Sequence, residues 1–265
     1  MINKLDLSGK WLLCLDKECK GTDLVFDDTI NLPNTTSNAK KGEYNTKRET
    51  GFLTDTYKFE GFAWFRKNVD FCALQCENLK LYLERTRITE LYIDSKKIGR
   101  QESLCTPHIY DLNEYIGTGI HEMTICVSNV GYKTKGGHLT SPDTQTNWNG
   151  ITGRIELIGY KNAHAENVML WCDIHSKTVR VTADITGGKS GKAVISAESF
   201  NSEKNHTPAV QSFEYTNGKL DALYKMGDDC LLWSEHEPNL YKLKIDIDGD
   251  VIEHIIGMRE FRTEG

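Results

Sequence analysis

Ala63-Trp-Phe-Arg-Lys-Asn-Val69 puts Ala63, Phe65 and Val69 on one side of an extended chain, the alternation of a half-buried strand. Leu79-Lys-Leu-Tyr-Leu83 repeats the pattern downstream, and Gly9-Lys-Trp-Leu-Leu-Cys-Leu15 does so upstream. Leu91-Tyr-Ile93 leads through Asp94-Ser-Lys to Ile98-Gly99. His121-Glu-Met-Thr-Ile-Cys-Val127 follows, and Gly153-Arg-Ile-Glu-Leu-Ile158 closes the block. Many short strands joined by polar turns predict a sandwich or jelly roll over residues 1–160. Lys161-Asn-Ala-His-Ala-Glu-Asn167 is polar and aperiodic, which places the expected domain boundary there. Beyond it, Val168 to Cys172, Thr178–Ile185, Lys192–Ala197 and Leu240–Ile247 alternate again, and Asn217-Gly218 and Asp248-Gly249 are tight-hairpin dipeptides. This second block, 161–256, reads as an immunoglobulin-like sandwich, so the whole chain is expected to be all-β.

Composition narrows the function. A net charge of −6 over 265 residues and a pI near 5.8 argue against a nucleic-acid binder, because phosphate contacts need clustered Lys and Arg. Neutral or weakly polar ligands fit better. The start carries no basic stretch followed by an apolar run, and no segment approaches a membrane span, so a soluble chain with no membrane partner is expected. A removed signal peptide would leave no trace, so cytoplasmic, periplasmic and secreted locations all stay open. The eight cysteines are scattered, several inside apolar runs, and read as buried thiols. Cys14/Cys19 and Cys72/Cys76 are the only close pairs, and no Cys/His pair of matching spacing follows either, so neither a metal nor a cofactor is expected.

Two local patterns fail as sites. The first Gly of a phosphate loop ending in Gly188-Lys-Ser190 would fall at position 183, where Ala183 stands. Asp246-Ile-Asp248-Gly-Asp250 has its Gly at the fourth position of a calcium loop instead of the sixth, and Gly257 where the bidentate Glu belongs. Both read as turns. No G-x-S-x-G, H-E-x-x-H or dinucleotide fingerprint occurs, and no carboxylate pair has a context that marks it as catalytic.

Three ordered groups of residues carry a resemblance. The first is Leu7-Ser-Gly9-Lys-Trp11 with Leu32-Pro33-Asn34-Thr35 and Phe59-Glu-Gly61-Phe-Ala-Trp64-Phe-Arg66-Lys67. The second runs through Leu83-Glu84-Arg85-Thr-Arg87, His108-Ile-Tyr-Asp111 and Val127-Ser-Asn129 to Thr144-Gln-Thr-Asn147-Trp148-Asn-Gly150-Ile-Thr-Gly153-Arg154. The third is Leu232-Trp233-Ser-Glu-His-Glu-Pro238-Asn-Leu240-Tyr241 with Ile256-Gly257-Met-Arg259-Glu-Phe261. Together they resemble the family 2 glycoside hydrolases, which include β-galactosidases, β-glucuronidases and β-mannosidases. The resemblance implies a galactose-binding-like jelly roll, then the immunoglobulin-like domain, then at 257–265 the entry to a catalytic (β/α)₈ barrel whose main body lies outside these residues.

The family's acid/base and nucleophile glutamates lie on barrel strands, so no residue here inherits a catalytic role and the chain alone is expected to be inactive. In the whole enzyme a retaining mechanism is implied. The loop from Gly136 to Asn149 corresponds to one that reaches the barrel mouth in the family. Its Asp143, Gln145 and Asn147 suit sugar hydroxyls and Trp148 suits a pyranose face, although Trp148 plugging the sandwich end competes with that reading. Some relatives hold a cation through an Asp in this region. Asp143 is the nearest counterpart, in a different local spacing. His108, Tyr110 and Asp111 read as a polar surface turn, and Glu84 with Arg85 or Arg87 as a buried ion pair. The expected partners are β-glycosides and the barrel, with a homo-oligomer left open. The alternatives are a free-standing carbohydrate-binding module and a structural spacer.

Overall fold

A computed structural model describes residues 2–47, 49–134, 136–261 and 263. Two compact units divide it, residues 3–159 and residues from 160 onward.

The first unit contains β1 (Ile2–Asp6), β2 (Gly9–Asp16), β3 (Asp28–Leu32), β4 (Asn34–Thr35), β5 (Glu43–Tyr44), β6 (Tyr57–Lys58) and β7 (Phe62–Asp70). It continues with β8 (Asn78–Leu83), β9 (Ile88–Ile93), β10 (Lys96–Gln101), β11 (His108–Asp111), β12 (Ile120–Ser128), β13 (Gly150–Ile151) and β14 (Ile155–Tyr160). A four-stranded sheet ordered β1-β14-β8-β11 and a six-stranded sheet ordered β10-β9-β12-β7-β2-β3 form the jelly-roll sandwich. Trp11, Leu13, Phe65, Leu81, Leu91, Ile125 and Leu157 fill its core, each no more than 1% exposed. On β7, Ala63, Phe65 and Val69 face inward as their alternation requires. Lys67 occupies the same face, but its ammonium reaches the carbonyls of Leu7 and Ser8 at 3.0 and 2.9 Å, the way a long cation escapes an apolar interior. Trp64 is buried on the opposite face against Tyr92, ring centroids 5.6 Å apart.

The structure corrects two expectations here. His108 and Tyr110 are buried on β11, both hydrogen-bonded to the Thr89 hydroxyl, at 2.6 and 2.7 Å. They form a satisfied polar group on an inward strand face and not a surface turn. Only Asp111 is exposed, accepting from the Asn113 amide. Glu84 is also not paired with Arg85 or Arg87: its carboxylate takes Arg154 Nε at 3.0 Å and the Arg154 backbone amide at 2.9 Å, at a half-exposed position. Arg87 is the buried cation, and it points elsewhere.

The second unit contains β15 (His164–Asp173), β16 (Thr178–Thr186), β17 (Ser190–Ser199), β18 (Gln211–Thr216), β19 (Lys219–Lys225), β20 (Tyr241–Ile247) and β21 (Asp250–Ile256). Their order is β15-β16-β19-β18-β17-β20-β21, the strands curling into an immunoglobulin-like sandwich around Val181, Ile195, Tyr224, Tyr241, Leu243 and Ile245. β15 begins inside the aperiodic stretch. His164 and Ala165 are buried, and a bulge at Asn167 (φ 50°) breaks the alternation that sequence reading looks for. Met258 belongs to the same core, and its carbonyl accepts from the Trp233 amide at 2.9 Å. A Cβ on Gly257 would lie 3.1 Å from the Trp233 ring, so this close approach explains a glycine there. Among the cysteines only Cys126 and Cys230 are buried. Cys72 and Cys105 are exposed because they sit in loops after β7 and β10, which corrects the uniform expectation of buried thiols.

Candidate functional site

The loop between β12 and β13 is held from beneath by one side chain. Arg87, 2% exposed, sits in the bend between β8 and β9 and sends its guanidinium into the loop. Nε donates to the Trp148 carbonyl at 3.2 Å and Nη1 to the Leu139 carbonyl at 2.8 Å, while Nη2 donates to the Thr146 carbonyl and Gln145 Oε1 at 3.3 and 3.4 Å. The flat guanidinium also lies 4.1 Å from the Trp148 ring centre. Burial lowers the Arg87 pKa, and it raises that of half-buried Asp55, which accepts from Thr146 and Ser37 and feels the Arg87 charge.

Asn129 ties the base of the loop to the turn that leads into β7. Its amide donates to the Phe59 and Asn147 carbonyls, both at 2.8 Å, and its oxygen accepts from Gly61 N at 3.0 Å. Buried Asn149 donates to the Gly61 and Val127 carbonyls. Gly150 (φ 132°) then passes so close to β4 that a Cβ would fall 2.3 Å from the Asn34 carbonyl oxygen, so only glycine permits the return into β13.

Three of the four residues picked out from the sequence come together here. Gln145 accepts from Trp148 Nε1 at 3.1 Å and donates to the His138 carbonyl at 2.8 Å. Asn147 accepts from the Tyr132 hydroxyl at 3.2 Å and donates to the Asn129 carbonyl at 3.1 Å. Trp148 is half-buried, with one ring face against Arg87. Asp143 stands apart and exposed, accepting from Ser141 Oγ at 3.3 Å. Among the described residues no group of three or more His, Cys, Asp or Glu is placed to hold a metal.

Gln145 and Asn147 line a cleft of about 350 Å³ with Glu60, Tyr132 and Pro142. A neighbouring cleft of about 230 Å³ shares Glu60, Asn147 and Pro142 and adds Phe52, Asp55 and Lys58. Phe52 is 57% exposed, a free aromatic face beside carboxylates and an amide. That combination suits a pyranose ring, whose apolar face stacks while its hydroxyls bond at the rim. Sequence reading missed Glu60, Phe52 and Arg87. The available signal was Phe52-Leu53, an isolated apolar pair in a long polar stretch, with Leu53 N bonded to the Pro142 carbonyl at 2.7 Å.

The class is set by this architecture: two antiparallel β-sandwiches consecutive in sequence, the first carrying loop-walled, amide- and carboxylate-lined clefts. Comparison with known proteins gives its relatives. The model of the glycosyl hydrolases family 2 matches residues 163–259, within the second unit. A β-galactosidase of Clostridium acetobutylicum is 23% identical over 182 residues, covering 66% of this chain and 20% of that protein. A Formosa agariphila protein whose name includes β-glucuronidase is 23% identical over 280 residues, covering 99% of this chain and 32% of its own length. In fold, the chain is similar to Faecalibacterium prausnitzii β-glucuronidase, with a TM-score of 0.71 at 15% identity over 100% of this chain and 47% of that one. A β-glucuronidase from an uncultured Clostridium gives 0.64 at 19% identity, over 97% of this chain and 45% of that one. The chain thus spans less than half the length of each of these relatives.

Proposed function

We propose that this chain is the non-catalytic front portion of a glycoside hydrolase, a β-galactosidase-like exo-glycosidase that cleaves O-glycosyl bonds of β-glycosides. The first sandwich contributes one wall of the sugar site and the second supports the barrel. One observation carries the reading: in a chain with these relatives, a loop clamped by buried Arg87 holds Gln145 and Asn147 at a cleft of about 350 Å³, within the size range of small-ligand sites. Asp143 offers a carboxylate from the same loop, and Trp148 keeps the loop's shape or meets a sugar with its free edge. No residue of this chain is given a catalytic role, so hydrolysis belongs to the larger enzyme.

The test compares the 265-residue chain with the full-length product of its gene on chromogenic β-galactoside, β-glucuronide and β-mannoside. The expected result is no turnover by the shorter chain and hydrolysis with retained anomeric configuration by the longer one. In the longer one, Asn147→Ala is expected to raise KM about tenfold, a loss of about 1.4 kcal/mol of binding. Turnover by the shorter chain, or an Asn147→Ala enzyme with unchanged KM, sinks the proposal. The clefts also fit a free-standing carbohydrate-binding module. That reading requires saturable sugar binding by a gene product inactive on every substrate.

A further inference from the structure

Another cleft, of about 400 Å³, adjoins the one that holds Gln145 and Asn147. Tyr132, Leu139 and Thr140 line both, so the two share a wall. That wall is held in place. Arg87 Nη1 donates to the Leu139 carbonyl at 2.8 Å, the guanidinium lies 5.8 Å from the Tyr132 ring centre, and Thr140 N donates to the Gly137 carbonyl at 2.9 Å. The chemistry changes across it. Gln145, Asn147 and Glu60 bring amides and a carboxylate to the first cleft, whereas Ile88, Leu104 and Leu139 bring aliphatic side chains to the other. Most polar groups of this apolar cleft are already engaged. The Tyr132 hydroxyl donates to Asn147 Oδ1 at 3.2 Å and the Thr140 hydroxyl to the Thr134 carbonyl at 3.4 Å, while Glu102 pairs with Lys133 and, at 3.0 Å, with Arg100.

We infer that the apolar cleft receives the aglycone of the substrate, and that this aglycone is an apolar alcohol such as a phenol. The inference rests on the glycosidase reading above and names its substrate class. A glycosidic bond keeps sugar and aglycone within one oxygen of each other, so a sugar in the first cleft delivers its substituent to the wall that the clefts share. The lining then selects what that substituent can be. A second sugar would carry hydroxyls onto aliphatic side chains and onto the Tyr132 and Thr140 hydroxyls, whose protons already have acceptors. Each buried hydroxyl left without a partner costs about fivefold or more in affinity. A charged aglycone would find Glu102 and Lys133 already neutralising each other. A phenyl ring, by contrast, displaces water from Ile88, Leu104 and Leu139, and burial of a ring of that size is worth about tenfold or more in affinity. The volume lies within the range of small-ligand sites.

Cys105 reports on occupancy, because its exposed thiol lines the apolar cleft, while Cys72, exposed and lining neither cleft, is the internal reference. Iodoacetamide labelling of the 265-residue chain, followed at each cysteine by peptide mass spectrometry, is run with 4-nitrophenyl β-galactoside, methyl β-galactoside, lactose and 4-nitrophenol, each up to about 20 mM. The nitrophenyl glycoside is expected to slow Cys105 alkylation about fivefold or more, with a midpoint about tenfold below that of 4-nitrophenol, because the sugar cleft anchors it. Methyl β-galactoside and lactose should leave the Cys105 rate unchanged, and Cys72 should react at one rate throughout. Leu104→Asp should abolish the protection with an unchanged melting curve, and Asn147→Ala should raise its midpoint about tenfold. Failure of the nitrophenyl glycoside to protect Cys105, or equal protection by lactose, overturns the inference and leaves the glycosidase reading standing. Protection by 4-nitrophenol as strong as by its glycoside, and indifferent to Asn147→Ala, overturns the sugar reading and the aglycone assignment with it.

Discussion

Arg87 is the residue on which the candidate site depends, and its role follows from donor arithmetic. A guanidinium has five N–H groups in a rigid plane, and four hydrogen bonds to Leu139, Gln145, Thr146 and Trp148 use that plane to shape the loop. Arg87→Ala leaves buried carbonyls without donors and is expected to cost about 3 kcal/mol in urea unfolding, with Trp148 emission shifted as the ring loses its partner. Arg87→Lys should rescue little, because a single ammonium cannot span acceptors laid out for a fork. Asp55 adds a pH signature. Its folded pKa is raised chiefly by burial, so the stability linked to its protonated form is complete below the unfolded pKa near 3.9 and is lost as pH rises through the folded value. Asp55→Asn should therefore gain on wild type as the pH moves from about 4 to 7, and a constant difference across that range would refute the assignment. None of this was legible in the sequence. Arg87 lies three residues from Glu84, which invites an ion pair, but Glu84 points outward to Arg154 while Arg87 points inward.

Strands were legible wherever one face is apolar and the turn chemistry is local. Asn217-Gly218 and Asp248-Gly249 form two-residue hairpins with φ of 53° and 67°, and 51° and 85°, as their composition requires. The two glycines make a graded prediction. A Cβ on Gly249 meets nothing within 4 Å, so Gly249→Ala should cost only the left-handed backbone penalty of about 1 kcal/mol. A Cβ on Gly218 lies 3.1 Å from the Ile185 carbonyl oxygen, so Gly218→Ala should cost more by the same denaturation assay. Equal costs would mean that Gly218 relaxes freely. Two elements were hidden for opposite reasons. β11 looks like a polar turn because His108 and Tyr110 satisfy each other's needs through Thr89 inside the sandwich, a pairing between residues 19 and 21 positions apart. β15 was obscured at its start by a bulge that shifts the alternation by one residue.

Across the whole molecule, the sequence carried the order of the sandwiches, because it depends on patterns repeated over many residues. The candidate site was carried only in part. The amides of the loop from Gly136 to Asn149 are visible in sequence, but Glu60 reaches both clefts, and Phe52 the neighbouring one, from another part of the chain. The two cores share no residue: Leu81 lies in the first and Leu243 in the second, each fully buried. Leu81→Ala and Leu243→Ala should each cost about 3 kcal/mol, and the cost should fall on a different unit. Calorimetry of wild type, both single variants and the double variant resolves this, with each substitution expected to lower its own transition by about 10 °C and leave the other in place. A single transition displaced equally by either substitution would mean that the two units unfold as one body. In that case Leu243→Ala should lower the melting of the first unit too, without touching a residue of its cleft.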